Sequence, residues 1–364
     1  MLKLIVAGQE WIGWQRVAVT RSMDTVPASF DIQVTERYPL TADVSFKPGD
    51  PCQVKIGGDL VITGYIDRYG AAISGNDHTV RIAGRSKSED LVDCSAFVGS
   101  KEKPSFQVLA GSTLSIAQEL AKPYDVEISS LAGPGVRIPQ FNINLGETAW
   151  EIIDRITRYS ELIAYDMPDG SVVLAQAGSE KMASGFAQGE NVESANVSFS
   201  LDQRFSEYEG HILATMVFGN DTGPNAPDLG EIIRDPGVPR FRKRYVISEQ
   251  TFMGEPIATK RARWECQRRI GRSQAVNITC DSWRDAGGAL WAPNHLAPIH
   301  LPALKLADVN WLIAQITYVR DEQGQHGLVV LMPPSAFAAE PVGDPGPLPP
   351  TVAAVEAWNA ARRG

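Results

Sequence analysis

Four groupings in this 364-residue chain are of residue types that could do chemistry. Asp221-Thr222-Gly223 matches the tripeptide in which two facing aspartates share one proton and cleave peptide bonds. It occurs once, opens a polar Pro/Gly-rich stretch and is not followed by a hydrophobic strand, so a turn is expected. His295 and His300, with Asp281 and Asp285 nearby, are ligand types that suit zinc or iron. Five residues apart on a strand, the two imidazoles point to opposite faces of a sheet, and no metal site is expected. Cys52, Cys94, Cys266 and Cys280 form no C-x-x-C pair and are expected as reduced, buried thiols.

The fourth grouping is the densest in charge. Arg240-Phe241-Arg242-Lys243-Arg244-Tyr245 is followed by Lys260, Arg261, Arg263, Arg268, Arg269 and Arg272 on a long helical stretch. Such a concentration can meet an acidic neighbour or flank passing nucleic acid. The reading preferred here is a subunit contact through Arg242, Arg244, Arg263, Trp264, Arg268 and Arg269, with Trp264 and Ile270 on one side of the helix and arginines on the other. The usual enzyme signatures are missing: no glycine-rich loop ends in Gly-Lys-Ser/Thr, and there is no G-x-S-x-G or H-E-x-x-H. Among 43 acidic residues nothing singles out a glycosidase pair. No catalytic, cofactor or metal residue is assigned, and no enzyme is expected.

The elements that would position these residues fall into modules. At 43% hydrophobic and 21% charged the composition is that of a globular protein, and the length favours several domains. A formal net charge of −9 argues against a dedicated, specific nucleic-acid binder. The opening MLKLIVAGQEW is too short and too polar for a signal-peptide core and reads as a first strand. No stretch approaches the roughly 20 apolar residues of a membrane span, so synthesis in the cytoplasm is expected.

Residues 1–98 alternate apolar and polar types in short runs, among them VAVT, FDIQV, CQVKI and HTVRIAG, with Gly57-Gly58 and Asn76-Asp77 as hairpin turns. A small β-barrel is expected, since closure hides strand edges. Residues 99–185 read as a small α+β domain: a helix capped by Ser112 or Thr113, a second from Glu147 carrying Trp150, Ile153, Ile156 and Tyr159, and a hairpin turning at Asp169-Gly170. Residues 186–338 return to strands, with an exposed loop at 220–240 and a helix from Pro256 that Gly271 stops, giving a second barrel with one inserted helix. Residues 339–364 read as a Pro-rich tail with a short helix. GYID at 64–67 and ITYVRD at 316–321 close the two strand-rich modules in the same way.

Several phrases, in order along residues 1–338, resemble the hub proteins of Mu-like phage baseplates: GGDLVITGYIDRYGAAISGNDHTVRIAGRSKSEDLVDCSA, RARWECQRRIGRS, DSWRDAGGALWAPNHLAPIHLP and LIAQITYVRDEQG. The resemblance implies a homotrimer in which two barrels per chain form a pseudo-six-fold ring. That ring would bridge the hexameric tail tube protein and the trimeric central spike protein among other baseplate proteins, in the virion tail. Related hubs form the N-terminal part of type VI secretion spike proteins. A different class is suggested by FQVLAGSTLSIAQELAKPYDVEI, which resembles a LysM-like unit and implies peptidoglycan binding; a tail-associated cell-wall hydrolase is the remaining alternative.

Overall fold

A computed structural model describes residues 1–36, 46–74, 77–178, 180–212, 228–248 and 257–337. Asn76, Asp221-Thr222-Gly223, Pro256 and the tail expected from 339 lie outside the described residues. The chain divides into two units, residues 1–197 with 276–331 and residues 198–275 with 332–364.

The first unit begins with β1 (Leu2–Val6), β2 (Gln9–Trp11), β3 (Arg16–Ser22), β4 (Ser29–Glu36), β5 (Pro51–Ile56), β6 (Asp59–Ser74) and β7 (Asp77–Ser86). Leu2, Leu4 and Val6 are buried while Lys3 and Ile5 are half-exposed, and Cys52, Val54 and Ile56 alternate likewise, as a period-two strand on a one-sided core must. Gly57 takes φ +64° in the two-residue turn between β5 and β6, where a side chain would be strained.

The chain then leaves for the α+β insert. There α1 (Glu89–Asp93), β8 (Val98–Ser100), β9 (Lys103–Ser105), β10 (Gln107–Ser112), α2 (Thr113–Ala121), β11 (Ile128–Ser130), β12 (Arg137–Asn142), α3 (Ala149–Tyr159), β13 (Ile163–Asp166) and β14 (Val172–Ala175) surround a core of their own. Ser112 caps α2, accepting from the Ser115 amide at 3.1 Å. Thr148 and Glu151 cap α3 reciprocally, at 3.2 and 2.8 Å. The strands flanking α2 belong to different sheets, since β10 pairs with β12 and β11 with β14. The hairpin loop is one residue longer than its Asp-Gly suggests: Met167 pairs with Ser171, leaving Pro168, Asp169 and Gly170 in the loop, the last at φ +85°.

Short strands β15 (Glu180–Lys181) and β16 (Phe186–Ala187) lead to β17 (Val192–Phe199). The second unit supplies β18 (Glu207–Ile212), β19 (Asp228–Arg234), β20 (Lys243–Ser248) and α4 (Ile257–Arg272). The chain then adds β21 (Gln274–Cys280), β22 (His295–Leu301), β23 (Leu306–Asp321) and β24 (Gly324–Met332).

The expected pair of barrels is corrected by the strand order. Strands from both ends of the chain share one open sheet, β17-β21-β24-β23-β3-β4-β7-β6-β5-β1-β2, with β22 and its partners attached at β23. No sheet closes on itself among the described residues. The joint is the antiparallel pairing of β23 with β3, from Gln315 opposite Ser22 to Arg320 opposite Val17, where the Thr20 and Thr317 hydroxyls lie 2.9 Å apart. Alternation tells which face of a strand is buried but not which strand is its neighbour, so this joint left no mark in the sequence. One hydrophobic cluster underlies both sets, from Leu4, Val54 and Ile82 to Ile278, Ile313 and Val329.

The helix expected inside the second barrel instead covers a separate three-stranded sheet, β19-β18-β20. β19 runs through the stretch read as loop, where Ile232-Ile233 is only a short apolar signal among Pro and Gly. Gly271 does not stop α4, which continues to Arg272. A Cβ at Gly271 would come within 2.2 Å of the Ala336 amide nitrogen, so glycine there lets the turn at Pro334–Ala336 approach the helix.

All four cysteines are free; Cys52, Cys266 and Cys280 are buried and Cys94 is partly exposed. Burial pushes the Cys52 and Cys266 thiols up to about 12 and Cys280 up to about 11. A thiol reagent at pH 8 is therefore expected to label Cys94 first and the other three only after denaturation. Rapid labelling of all four in the native protein would contradict this burial.

Candidate functional site

The phrase Asp281-Ser282-Trp283-Arg284-Asp285 through Asn294 builds a clasp within the first unit. The Trp283 indole donates to the Val319 and His326 carbonyls at 3.1 and 3.0 Å, and Trp291 donates to the Ser282 carbonyl at 3.0 Å. Arg284 reaches the β5–β6 turn, binding the Ile56 carbonyl at 3.2 Å and Asp59 at 2.5 Å. The Asp285 carboxylate accepts from the Ala183 and Ala289 amides, both at 2.9 Å. Asn294 donates to Tyr165 and to the Gln176 carbonyl while accepting from Gly178. One loop thus ties the first strands, the insert and the last strands together.

The histidines do not converge on a metal. His295 pairs with Glu180 at 3.0 Å and His300 with Asp308 at 3.3 Å. No group of three or more ligand-type residues suited to a metal occurs among the described residues. Nor is any helix among them long and apolar enough to cross a membrane. On the insert, a groove of about 510 Å³ is lined by residues including Lys87, Lys122, Asp125, Glu127 and Asp169, with Lys87 and Asp125 paired at 2.8 Å.

At the root of the insert, Arg85 of β7 binds Asp67 at 2.7 Å, Glu89 at 3.0 Å and Asp93 at 2.9 Å. Burial and the nearby Asp67 carboxylate push Glu89 up to about 7 against the pull of Arg85. A proton held in the folded state but lost from the unfolded chain gives stability that is complete below pH 4.5 and disappears as pH rises through 7. Glu89→Gln is expected to remove about 1–3 kcal/mol of the stability lost between pH 5 and pH 8, after allowance for partial solvent screening. Parallel wild-type and variant stability curves in urea across that range would refute it.

In the second unit, α4 lays Ala262, Cys266 and Ile270 against Tyr208 and Val246. Trp264 is not on that face: it lies roughly 200° round the helix from Ala262. It is buried there beneath Arg261 and Arg268, whose guanidinium carbons stand 4.1 and 5.0 Å from its ring centre. Arg242, Arg244 and Arg269 surround the Phe205 ring at 4.9, 5.3 and 5.4 Å. Arg242 also donates to the Leu201 and Asp202 carbonyls, Arg269 to Glu265 at 2.7 Å and to Gln203, and Arg263 to Glu231 at 3.2 Å. Each of the six residues singled out in the sequence therefore makes contacts inside its own unit.

Two buried carboxylates escaped the sequence reading. Asp235 receives both arms of Arg204, at 2.8 and 2.7 Å. Asp166 receives the Ala28 amide at 2.8 Å and the Ser86 hydroxyl. Asp235 follows a charged strand end and precedes Pro-Gly, a context that looks like a solvated turn, and Asp166 closes a strand.

Family models match most of this architecture. The model for the Mu phage baseplate assembly protein GpP-like N-terminal domain matches residues 1–86. That for the second domain of baseplate hub protein gp44-like proteins matches 88–176, and that for the fourth domain of Mu phage baseplate assembly protein GpP matches 255–340. Over 350 residues the chain is 29% identical to the baseplate hub protein gp44 of Escherichia phage Mu, across 91% of this chain and 87% of that one. The chain belongs to the Mu-like baseplate hub family. It is a structural hub component of a phage tail baseplate.

Among solved structures, this hub is similar to the 43 kDa tail protein of prophage MuSo2 from Shewanella oneidensis. That likeness has a TM-score of 0.80 at 28% identity, over 93% of this chain and 99% of that one. An Escherichia coli component of the type VI secretion system shares the fold, with a TM-score of 0.58 at 11% identity, over 95% of this chain and 80% of that one.

Proposed function

We propose that the hub works as a homotrimeric ring joining the hexameric tail tube to the trimeric central spike, assembled in the host cytoplasm into the virion baseplate. The observation that carries this reading is the repetition within one open sheet. β6 and β23 are both 16-residue strands, and each has strand partners on both sides, β5 and β7 in one case and β24 and β3 in the other. Three chains would present six such long strands around a three-fold axis, which suits a six-fold partner on one side and a three-fold partner on the other. Modules at 1–98, 99–185 and 186–338, with a tail at 339–364, are proposed as the pieces of that ring; family models match 1–86, 88–176 and 255–340 in the same order. The reading requires no chemistry, in keeping with relatives that are hub and tail components.

Light scattering across a dilution series tests the stoichiometry. Three copies of the 39.6 kDa chain weigh about 119 kDa. That mass, with co-purification of the tail tube and spike proteins, is the expected result. A chain that remains at 39.6 kDa at every concentration, and in the presence of both partners, would overturn the ring.

A further inference from the structure

The long sheet is open, and its free edges differ in character. β5 accompanies β6 only as far as Tyr65, opposite Pro51, and the register of β6 against β7 shifts between Ile66 and Arg68. From Arg68 to Ser74, β6 has β7 on one side and no strand on the other among the described residues, so the amides and carbonyls of its outer side have no ladder partner. The same stretch carries the buried face of the sheet out past its core. Tyr69 and Ala71 stand opposite Ile82 and Val80 of β7, which are 0% and 1% exposed, yet Tyr69 and Ala71 are both exposed. Ile73, next on that face, is 80% exposed.

The second such edge is β17, which begins the strand order and neighbours β21 alone. Its Ala195 and Val197 pack half-buried against the main hydrophobic cluster, and Phe199, on the same side of the strand, is 49% exposed. Strand edges are ordinarily blunted by lysine, proline, charge or shortness. β2, at the far end of the order, is three residues long and its Glu10 is held by Lys3 at 2.8 Å. Residues 68–74 and 192–199 contain no lysine or proline and one charged residue each, Arg68 and Glu193.

We propose that these two edges join, the outer half of β6 in one copy lying against β17 of the next, so that one sheet runs on into its neighbour. The proposal rests on the ring reading above and adds to it which surfaces meet. A row of unpaired amides and carbonyls is answered by another extended backbone, which restricts the occupant of each edge to a strand. The chain fits itself: a stretch of seven residues meets a strand of eight, and each brings three residues of the core side, Tyr69, Ala71 and Ile73 on one, Ala195, Val197 and Phe199 on the other. With the buried faces turned the same way, these six cover one another, and Ala71 lies beside Val197 whichever way the strands run. Symmetry agrees, because a three-membered ring closes through head-to-tail contacts between two different surfaces. A strand from an unrelated protein laid on β6 fits less well, since it would leave the β17 edge of every copy open.

The test uses the full chain with Cys94→Ser, which removes the one partly exposed thiol. Facing residues on paired strands hold their Cα atoms about 4.5–5.5 Å apart, within reach of a disulfide. Ala71→Cys with Val197→Cys in one chain should, on mild oxidation, give linked species of two and three copies of the 39.6 kDa chain, about 79 and 119 kDa. Each single variant should stay at 39.6 kDa on a denaturing gel, and the two mixed should give the linked pair alone. Separately, Ala71→Lys with Ile73→Lys alters only exposed side chains, so circular dichroism and the melting temperature should match wild type. Its light-scattering mass should fall to 39.6 kDa at a concentration where wild type is trimeric. A trimer that survives the two lysines, or that forms no disulfide between 71 and 197, would overturn the joint and leave the ring intact. A linked pair formed by the Ala71→Cys variant alone would mean that β6 meets β6 in a two-fold contact, and would overturn it too. A wild-type chain that stays at 39.6 kDa at every concentration, with the tube and spike proteins present, would remove ring and joint together.

Discussion

Replacing Asp235 with alanine is expected to destabilise the second unit by about 3–5 kcal/mol, the usual cost of stranding one partner of a buried ion pair. The Asp235 side chain is fully buried and that of Arg204 is 4% exposed, so the guanidinium left behind has little water to turn to. The fork geometry matters as well as the charge. Arg204 places Nε on one carboxylate oxygen and Nη2 on the other, and Asp235 also accepts the Gly237 amide at 2.9 Å, so the pair holds the turn after β19 against the segment before β18. If desolvated charge is the cause, the double substitution Arg204→Met with Asp235→Leu should recover most of the loss, since two apolar groups of similar size leave nothing unpaired. Urea unfolding gives the magnitude, and hydrogen exchange should locate the loosening in β18, β19 and β20. An Asp235→Ala protein with wild-type exchange in those strands would show that the pair is not holding them.

How much of this was legible in the sequence depends on whether the governing interaction is local. The alternation in Leu2–Val6, Pro51–Ile56 and Gln274–Cys280 predicts strands because burial on one face imposes it residue by residue. The cap at Ser112 follows from a side chain reaching an amide three residues on. The pairing of β3 with β23 joins residues about 300 positions apart, and local patterning is silent about it. The same limit hid the Arg204–Asp235 pair, since an arginine near a turn and an aspartate before Pro-Gly are each ordinary on a surface. The phrase around Trp283 to Asn294 carried the family resemblance without a reason attached. Its tryptophans, arginine, aspartate and asparagine prove to be the clasp that fastens three stretches of chain. The basic helix was read with Trp264 and Ile270 on one side and its arginines on the other, whereas Trp264 lies under Arg261 and Arg268, and Phe205 is ringed by Arg242, Arg244 and Arg269.

Asp166→Ala should be the most damaging substitution at the base of the insert. The carboxylate is 2% exposed and gathers groups from outside its own hairpin: the Ala28 amide at 2.8 Å, the Ser86 hydroxyl, and Ser88 Oγ at 3.4 Å. Ser86 and Ser88 are themselves buried, and their hydroxyls lie 2.7 Å apart, so the aspartate ends a short polar chain that water does not reach. Alanine would leave the Ala28 amide and a serine hydroxyl without an acceptor, at about 1–3 kcal/mol for each stranded group. A loss of about 3–4 kcal/mol in a unit of this size corresponds to a melting temperature lower by about 10 °C. Asp166→Asn keeps one acceptor oxygen in nearly the same place and should lose less than half as much. Because Ala28 precedes β4, Ser86 ends β7 and Asp166 ends β13, hydrogen exchange should quicken in the long sheet and in the insert together. Quickening confined to β13 and β14 would mean that the carboxylate steadies only its own hairpin and that the insert is fastened to the sheet through Arg85 and the Trp283–Asn294 clasp alone.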